Sequence, residues 1–195
     1  MISVPTASAL ARDRAAVVMT RSSISGGDRR FIQLVESHVD FIWRCLRRFG
    51  VSEGDVPDAT QQVFIVAARK NDAIDIGSER QFLFRTAMRI ASTQRRTRRR
   101  QREVSDEWLT DTADAGPGPD EHADESYRRR LLDQLLETLP LKLRAALVLI
   151  EIEELTMAEA AELLKVPAGT MASRLRRARN LFNRAAQELR AREGI

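Results

Sequence analysis

The stretch from Leu155 to Arg179, LTMAEAAELLKVPAGTMASRLRRAR, constrains this chain more than any other. Thr156, with Glu159 three residues on, has the form of a capping box. There a threonine oxygen accepts one orphan N–H of a helix start and the glutamate reaches back to another. The helix it opens carries Ala160, Ala161, Leu163 and Leu164 toward one side. Val166-Pro167-Ala168-Gly169 predicts an interruption, because proline disfavours helix at the residue before it and glycine accepts unusual backbone angles. A second helix follows, with Met171, Leu175, Ala178 and Phe182 at the spacing of a buried face. Thr170, Ala172, Ser173, Arg174, Arg176, Arg177 and Arg179 fall mostly on its other faces. Two short helices, a tight turn and an arginine-rich outer face form a helix-turn-helix. An ordinary helical hairpin with solvated arginines is the competing reading.

A helical frame around this motif agrees with the composition. Hydrophobic residues make up 43% of the chain but aromatic ones only 5%. Leucine and alanine dominate, which favours packed helices over a sheet, so the expected fold is all-α. The single cysteine, Cys45, excludes an internal disulfide, and His38 and His122 lie too far apart for a zinc-binding spacing. Cys45 sits in an apolar helical pattern and reads as a small core residue. There is no glycine-rich phosphate loop, metal cluster or nucleophile–base set. The expectation is therefore no catalytic residue, no metal, no cofactor and no small-molecule substrate: this is not an enzyme. No apolar run approaches the length of a membrane span and no signal peptide is evident, so the expected location is the cytoplasm.

The 195 residues divide by pattern. Residues 1–28, rich in Ser, Ala, Thr and Arg, read as a weakly ordered extension. Residues 29–102 read as a first helical domain of three helices. The first buries Phe31, Leu34, Val35, His38, Ile42, Leu46 and Phe49 and stops at Gly50. The second starts near Pro57 and buries Ala59, Val63, Phe64 and Ala67. Asn71 to Gly77 reads as a loop. The third helix buries Phe82, Leu83, Thr86, Ala87 and Ile90, then runs into six arginines in the eight residues from Arg95 to Arg102. Such a block must meet solvent or an anion. Residues 103–125 hold nine carboxylates, no lysine or arginine, and Gly116-Pro117-Gly118-Pro119, the composition of a flexible acidic linker. Trp108 and Leu109 are its one bulky apolar pair. Residues 126–195 form a second helical domain. Leu131, Leu132, Leu135, Leu136 and Leu139 line its first helix up to Pro140, and Leu143, Ala146, Leu147 and Ile150 line the next, ahead of the helix-turn-helix.

Three of these stretches resemble the bacterial sigma factors of the extracytoplasmic-function (ECF) group. Leu139-Pro140 through Arg144 and Leu147, with the helix-turn-helix ending PAGTMASRLRRAR, is similar to the family's fourth region. Asp58-Ala59-Thr60-Gln61-Gln62-Val63-Phe64 is similar to the DxxQxVF segment of its second region. Phe82 to Arg102 occupies the place of the helix that engages the promoter −10 element. The family usually has tryptophan where Phe82 stands and asparagine where Arg89 stands.

The resemblance implies a subunit that binds core RNA polymerase, through its β′ and β subunits, and directs promoter-specific initiation. An anti-sigma factor is a further implied partner. Thr170, Ala172, Ser173, Arg174, Arg176 and Arg177 are then the candidates for reading the −35 element. Arg85, Arg89, Arg95 and Arg96 are those for the opened −10 element, and Asp58, Gln61 and Gln62 those for polymerase. Independently, guanidiniums at the start of a recognition helix can hydrogen-bond guanine edges in pairs or hold phosphates. The rival reading is a stand-alone helix-turn-helix regulator, with residues 29–102 as an interaction or sensing domain. Joined only by a flexible tether, the two halves would have no fixed spacing in the free chain.

Overall fold

The computed structural model describes residues 26–105 and 121–193. The greater part of the N-terminal extension, and the linker from 106 to 120 with Trp108 and Leu109, lie outside the described residues. Among the described residues the fold is all-α, as expected, with seven α-helices and no strand.

Helix α1 (Gly26–Arg48) buries Leu34, Val35, Val39, Phe41, Ile42, Cys45 and Leu46. Phe31 and His38, expected on that buried face, are only half-buried at its margin. The chain turns at Gly50, whose φ of +85° suits a residue without a Cβ. Helix α2 (Val56–Ala68) carries Pro57 in its first turn, where a missing N–H leaves nothing unpaired. It buries Ala59, Val63, Phe64 and Ala67 as their spacing predicts. The Asn71–Gly77 loop contains a short 3₁₀ turn, Asn71–Ala73, and a second glycine at positive φ, Gly77. Glu79 pins this loop to the first turn of α3 (Glu79–Ser105). Its carboxylate accepts from Gly77 N at 2.6 Å and from Arg30 at 3.3 Å. Burial alone would raise that carboxyl, but these bonds and one from its own backbone hold it below the usual range.

The buried side of α3 differs from the expected one. Leu83, Phe84, Ala87 and Ala91 are fully buried, whereas Phe82, Thr86 and Ile90 are only half-buried. Phe84 keys the N-terminal half: its ring stacks on Phe41 at 6.0 Å and meets Phe49 edge-on at 5.6 Å. The 82–86–90 row lies about 100° around the helix from the buried 83–87–91 row and faces a surface cleft.

Helix α4 (Glu121–Glu137) begins inside the stretch read as linker, and α3 extends to Ser105. The expected linker, 103–125, is thus helical at both ends. Its own charges account for this: Glu121, Asp124 and Glu125 favour a helix N-terminus, and the arginines before residue 103 favour a helix C-terminus. Helix α5 (Leu141–Leu147) follows Pro140 and widens into a π-helical turn, Val148–Ile152. Helices α6 (Met157–Leu164) and α7 (Ala168–Glu193) complete the chain.

The two halves do not stand apart. Their buried side chains form one continuous cluster. Across the seam Arg44 makes a two-pronged pair with Glu153, at 3.0 and 2.7 Å, and Arg48 meets Asp133 at 2.7 Å. Arg47 lies 3.5 Å from the same Asp133, and Gln81 donates to the Glu162 carbonyl at 2.6 Å. The expectation of halves without fixed spacing is not met, because the acidic residues around α4 and α5 find arginines on α1.

Candidate nucleic-acid interface

The helix-turn-helix forms much as its sequence requires. Thr156 Oγ1 accepts from Glu159 N at 3.3 Å, and Thr156 N donates to Glu159 Oε2 at 2.8 Å, completing the capping box. Thr156 Oγ1 also donates to Glu159 Oε2 at 2.6 Å, and this bond, followed by the one from Thr156 N, holds the Glu159 carboxyl below its usual range. Ala160, Ala161 and Leu163 of α6 pack against Met171, Leu175 and Ala178 of α7, all buried. The turn itself is placed differently from expectation. Lys165, not a glycine, takes the left-handed conformation at φ 50°, with its N–H donating to Glu162 O at 2.9 Å. Gly169 lies within α7, and Met171 N donates to Pro167 O at 3.0 Å. Proline ends one helix and starts the next because it needs no donor there.

That registration sets the outer face of α7. Ala172, Arg176 and Arg177 are exposed, and Thr170, Ser173 and Arg174 are half-buried at its edges. Ser173 Oγ donates to Thr170 O at 2.9 Å, which leaves its oxygen free to accept. From Lys165 to Gln187 there is no carboxylate, so the opening turns present positive charge alone. Arg179 is drawn aside to Glu151, with Nε at 2.9 Å. A helix that offers guanidiniums and a hydroxyl from its first turns suits the major groove.

A second basic surface lies on the other half. A cleft of about 390 Å³ has apolar walls at Phe82 and Ile90, with Lys70, Arg85 and Arg89 around it. Arg85 and Arg89 are exposed, as is Arg96 further along α3. Arg95 is not on this face: it is half-buried and reaches the Glu137 carbonyl of α4 at 3.4 Å. Arg98 pairs with Asp55 at 3.1 Å. An apolar floor with a cationic rim can hold an unstacked base and its phosphate. Lys165, from the helix-turn-helix, also lines this cleft. Neither Lys70 nor Lys165 was marked by the sequence, since each lies just past a helix end and outside the basic blocks.

The third surface is on α2. Asp58, Gln61 and Gln62 are exposed on its outer side, while Val63 and Phe64 are buried. This face is polar, compact and suited to a protein partner. Among the described residues no group of His, Cys, Asp and Glu is arranged to hold a metal ion. Burial pushes the Cys45 thiol well above its usual value, which makes it a poor nucleophile. Among the described residues, no helix is long and apolar enough to cross a membrane.

A further residue that sequence reasoning did not single out is buried. Arg144 is fully buried, with Nη2 3.5 Å from the Leu139 carbonyl and Nε and Nη1 without a hydrogen-bond partner. Burial, and then the neighbouring Arg95, lower its pKa to about 9, so it is still charged at neutral pH. Its signal was its place three residues before Leu147 on an apolar face, masked by the rule that arginines face water.

Residues 129–181 match the family "Sigma-70, region 4". The chain is 30% identical over 168 residues to the RNA polymerase sigma factor NccH of Alcaligenes xylosoxydans xylosoxydans, covering 83% of this chain and 89% of that one. It is 32% identical over 151 residues to the ECF RNA polymerase sigma factor SigE of Mycolicibacterium smegmatis, covering 75% of this chain but only 58% of that relative's length. The ECF sigma-E factor of Escherichia coli is 28% identical over 173 residues, 84% of this chain and 90% of that one. In fold, the chain is similar to CnrH, solved in complex with the cytosolic domain of CnrY. The TM-score is 0.63 and the identity 22%, over 92% of this chain and 96% of that one. It is also similar to the sigma factor RpoE of Bartonella quintana, solved with the anti-sigma factor NepR. There the TM-score is 0.60 and the identity 22%, over 80% and 96% of the two chains. With a helix-turn-helix in its C-terminal half and a polar α2 face in its N-terminal half, the chain belongs to the ECF group of RNA polymerase sigma factors.

Proposed function

We propose that this chain binds core RNA polymerase, through its β′ and β subunits, and directs initiation at particular promoters. In this reading α7 holds the −35 element and the α3 cleft holds an unpaired base of the opened −10 element. The observation that carries it is the outer face of α7, free of carboxylates up to Gln187 and set by the burial of Met171, Leu175 and Ala178. Arg174, Arg176 and Arg177 supply paired donors for guanine edges or single donors for phosphate, Thr170 and Ser173 supply hydroxyls, and Ala172 an apolar contact. Arg85, Arg89 and Arg96 form the track for single-stranded DNA, and Arg95 joins it when freed from α4. Asp58, Gln61 and Gln62 meet the polymerase. The chain itself performs no chemistry; bond formation belongs to the polymerase, and the chain acts in the cytoplasm beside it. An anti-sigma factor is its expected restraint, as in the RpoE–NepR pair.

A footprint and a run-off transcript, each with and without core enzyme, test the reading. The chain should direct initiation from a defined start site only when core is present. A tight specific footprint by the chain alone, without effect on core transcription, would instead make it a stand-alone regulator. Within the holoenzyme, Arg174→Ala or Arg177→Ala should weaken promoter binding by about 1–3 kcal/mol. A base-reading arginine relaxes preference at one position, whereas a phosphate contact weakens all sequences alike. Asp58→Ala with Gln61→Ala should lower affinity for core. Arg85→Ala with Arg89→Ala should spare that affinity and reduce permanganate reactivity of unpaired thymines. Identical defects in the two pairs refute this division of surfaces.

A further inference from the structure

We propose that Ile76, at the tip of the Asn71–Gly77 loop, is a wedge: its side chain enters the promoter's base stack at the step beside the base that the α3 cleft takes up. The proposal deepens the sigma-factor reading and rests on it for the DNA that is opened.

Ile76 is 88% exposed, twice the exposure of the next large apolar side chain among the described residues, Tyr127 at 44%. A single apolar residue on a surface is ordinary and by itself calls for no partner. What sets Ile76 apart is the loop that presents it. Arg30, from α1, donates to the Ile74 carbonyl at 2.6 Å and to the Asn71 carbonyl at 3.4 Å. Ile74 itself is buried. Ser78 N donates to Asp75 O at 3.0 Å across the tip, and Gly77 N donates to Glu79 at 2.6 Å. The backbone is thus tied on both sides of Ile76, while its side chain stands in solvent. Branching at Cβ restricts its χ1 rotamers, so it loses little freedom when it is enclosed. A stiff apolar side chain on an anchored tip is built for insertion.

Its position says what it meets. Ile74, Asp75 and Ser78, on either side of it in the chain, line the α3 cleft, and Ile76 stands just outside. Lys70, Arg85 and Arg89 rim that cleft with positive charge, which selects a polyanion over an apolar protein surface. Asp72 and Asp75, exposed in the loop, repel phosphates from the tip itself. The backbone of a bound strand is therefore held at the rim, and the tip is left to face bases. Apolar side chains inserted at a base step unstack it and kink the duplex. A base that leaves the stack opens a gap about 3.4 Å thick, the scale of one aliphatic contact. Ile76 fills that gap while the displaced base lies against Phe82 and Ile90 in the cleft. Occupying the gap opposes re-stacking, so the wedge and the cleft act on the same step from its two sides.

The test uses holoenzyme assembled from the full chain, on a promoter whose start site the run-off assay has defined. A fluorescent adenine analogue in the −10 element brightens as it unstacks and reports the opening rate. Ile76→Ala and Ile76→Ser should bind core and the unopened promoter as the wild type does, but open it roughly ten-fold more slowly, because the unstacked step is left unfilled. Ile76→Leu, which keeps the apolar bulk, should restore most of the rate. On a promoter whose −10 bases are mispaired, and so already unstacked, Ile76→Ala should match the wild type. Equal opening rates for Ile76→Ala and wild type on the paired promoter overturn the wedge. So does a defect that mispairing leaves uncorrected. A loss that appears first as weaker binding to core also overturns it, by placing Ile76 on a protein contact. If the run-off assay yields no start site, the sigma-factor reading falls and the wedge with it; because the wild type is read first, the two failures are told apart.

Discussion

The two halves of this protein solve the same problem, packing short helices, in different ways. The N-terminal half is keyed by aromatic rings: Phe41, Phe49, Phe64 and Phe84 are all buried. Its turns at positive φ, Gly50 and Gly77, use glycine. The C-terminal half buries no aromatic residue among those described; its core is Leu, Ala, Val and Met. Its positive-φ turns fall on Glu154 and Lys165, both with side chains. Large rings hold helices at a distance and fix their angles, whereas alanines let helices approach closely. A left-handed residue with a Cβ costs roughly 1–2 kcal/mol, so the C-terminal half keeps side chains at its turns against local preference. The Lys165 side chain is then available to the α3 cleft, which a glycine could not reach.

Four sets of perturbations break or sharpen that contrast. Phe84→Ala should destabilise the N-terminal half by about 3–5 kcal/mol, since it removes the ring that bridges α1 and α3. Leu149→Ala is its counterpart in the C-terminal half, at about 2–5 kcal/mol. Urea unfolding followed by far-ultraviolet circular dichroism measures both. If the halves were independent, each variant would split the transition into two; a seam that couples them keeps one transition in low salt and splits it in high salt.

Gly50→Ala comes next, at about 2–3 kcal/mol destabilising. It adds left-handed strain and drives a Cβ into the buried Arg144 guanidinium. A loss below about 0.5 kcal/mol would show that the guanidinium moves freely and that the seam is looser than described.

Lys165→Gly should act in the opposite direction, stabilising the protein by about 1 kcal/mol while lowering binding of single-stranded DNA at the cleft. Gly77→Ala, the matching change in the N-terminal half, should only destabilise. If both changes destabilise, the contrast between the turns has no energetic content.

The smallest effect concerns His38. Burial, and then the positive charge of Arg80, lower its pKa beneath the usual 6.5, against a smaller opposing effect of Glu79. The folded state therefore binds fewer protons than the unfolded one in mildly acidic solution. Its contribution is fully present above pH 6.5 and is lost as pH falls toward the lowered value. Stability measured between pH 7 and 5 should decline less in His38→Gln than in the wild type. An unchanged slope would remove His38 from the acid response of the N-terminal half.

Much of the local geometry of the candidate interface was legible in advance because it depends on neighbours in sequence. The capping box from Thr156 to Glu159 and the Met171–Leu175–Ala178 row follow from hydrogen bonds and helical spacing within a few residues. The exposed trio on α2 followed the same way, from the burial of Val63 and Phe64 beside it. The face of α3 was read about one residue out, because both rows are apolar and only Phe41 and Phe49, from another helix, select Phe84. The linker ends were misplaced for a related reason, since composition argued for coil while the helix dipole rewarded the same charges. Glycine-based turn rules pointed to Gly169, yet the turn closes at Lys165, where tertiary packing of α6 against α7 outweighs a local cost.

The sequence by itself determined an all-α chain, its helix-turn-helix, its arginine block and the family those motifs indicate, because helical periodicity and capping are local properties. Only the tertiary structure decided that Arg144 is buried without full partners, that Arg95 leaves the basic face, and that Arg44, Arg47 and Arg48 meet Glu153 and Asp133. Those contacts join residues some 40 to 110 positions apart. At that range charges of either sign look alike in sequence as solvated surface, and only the docking of one helical half on the other selects their partners.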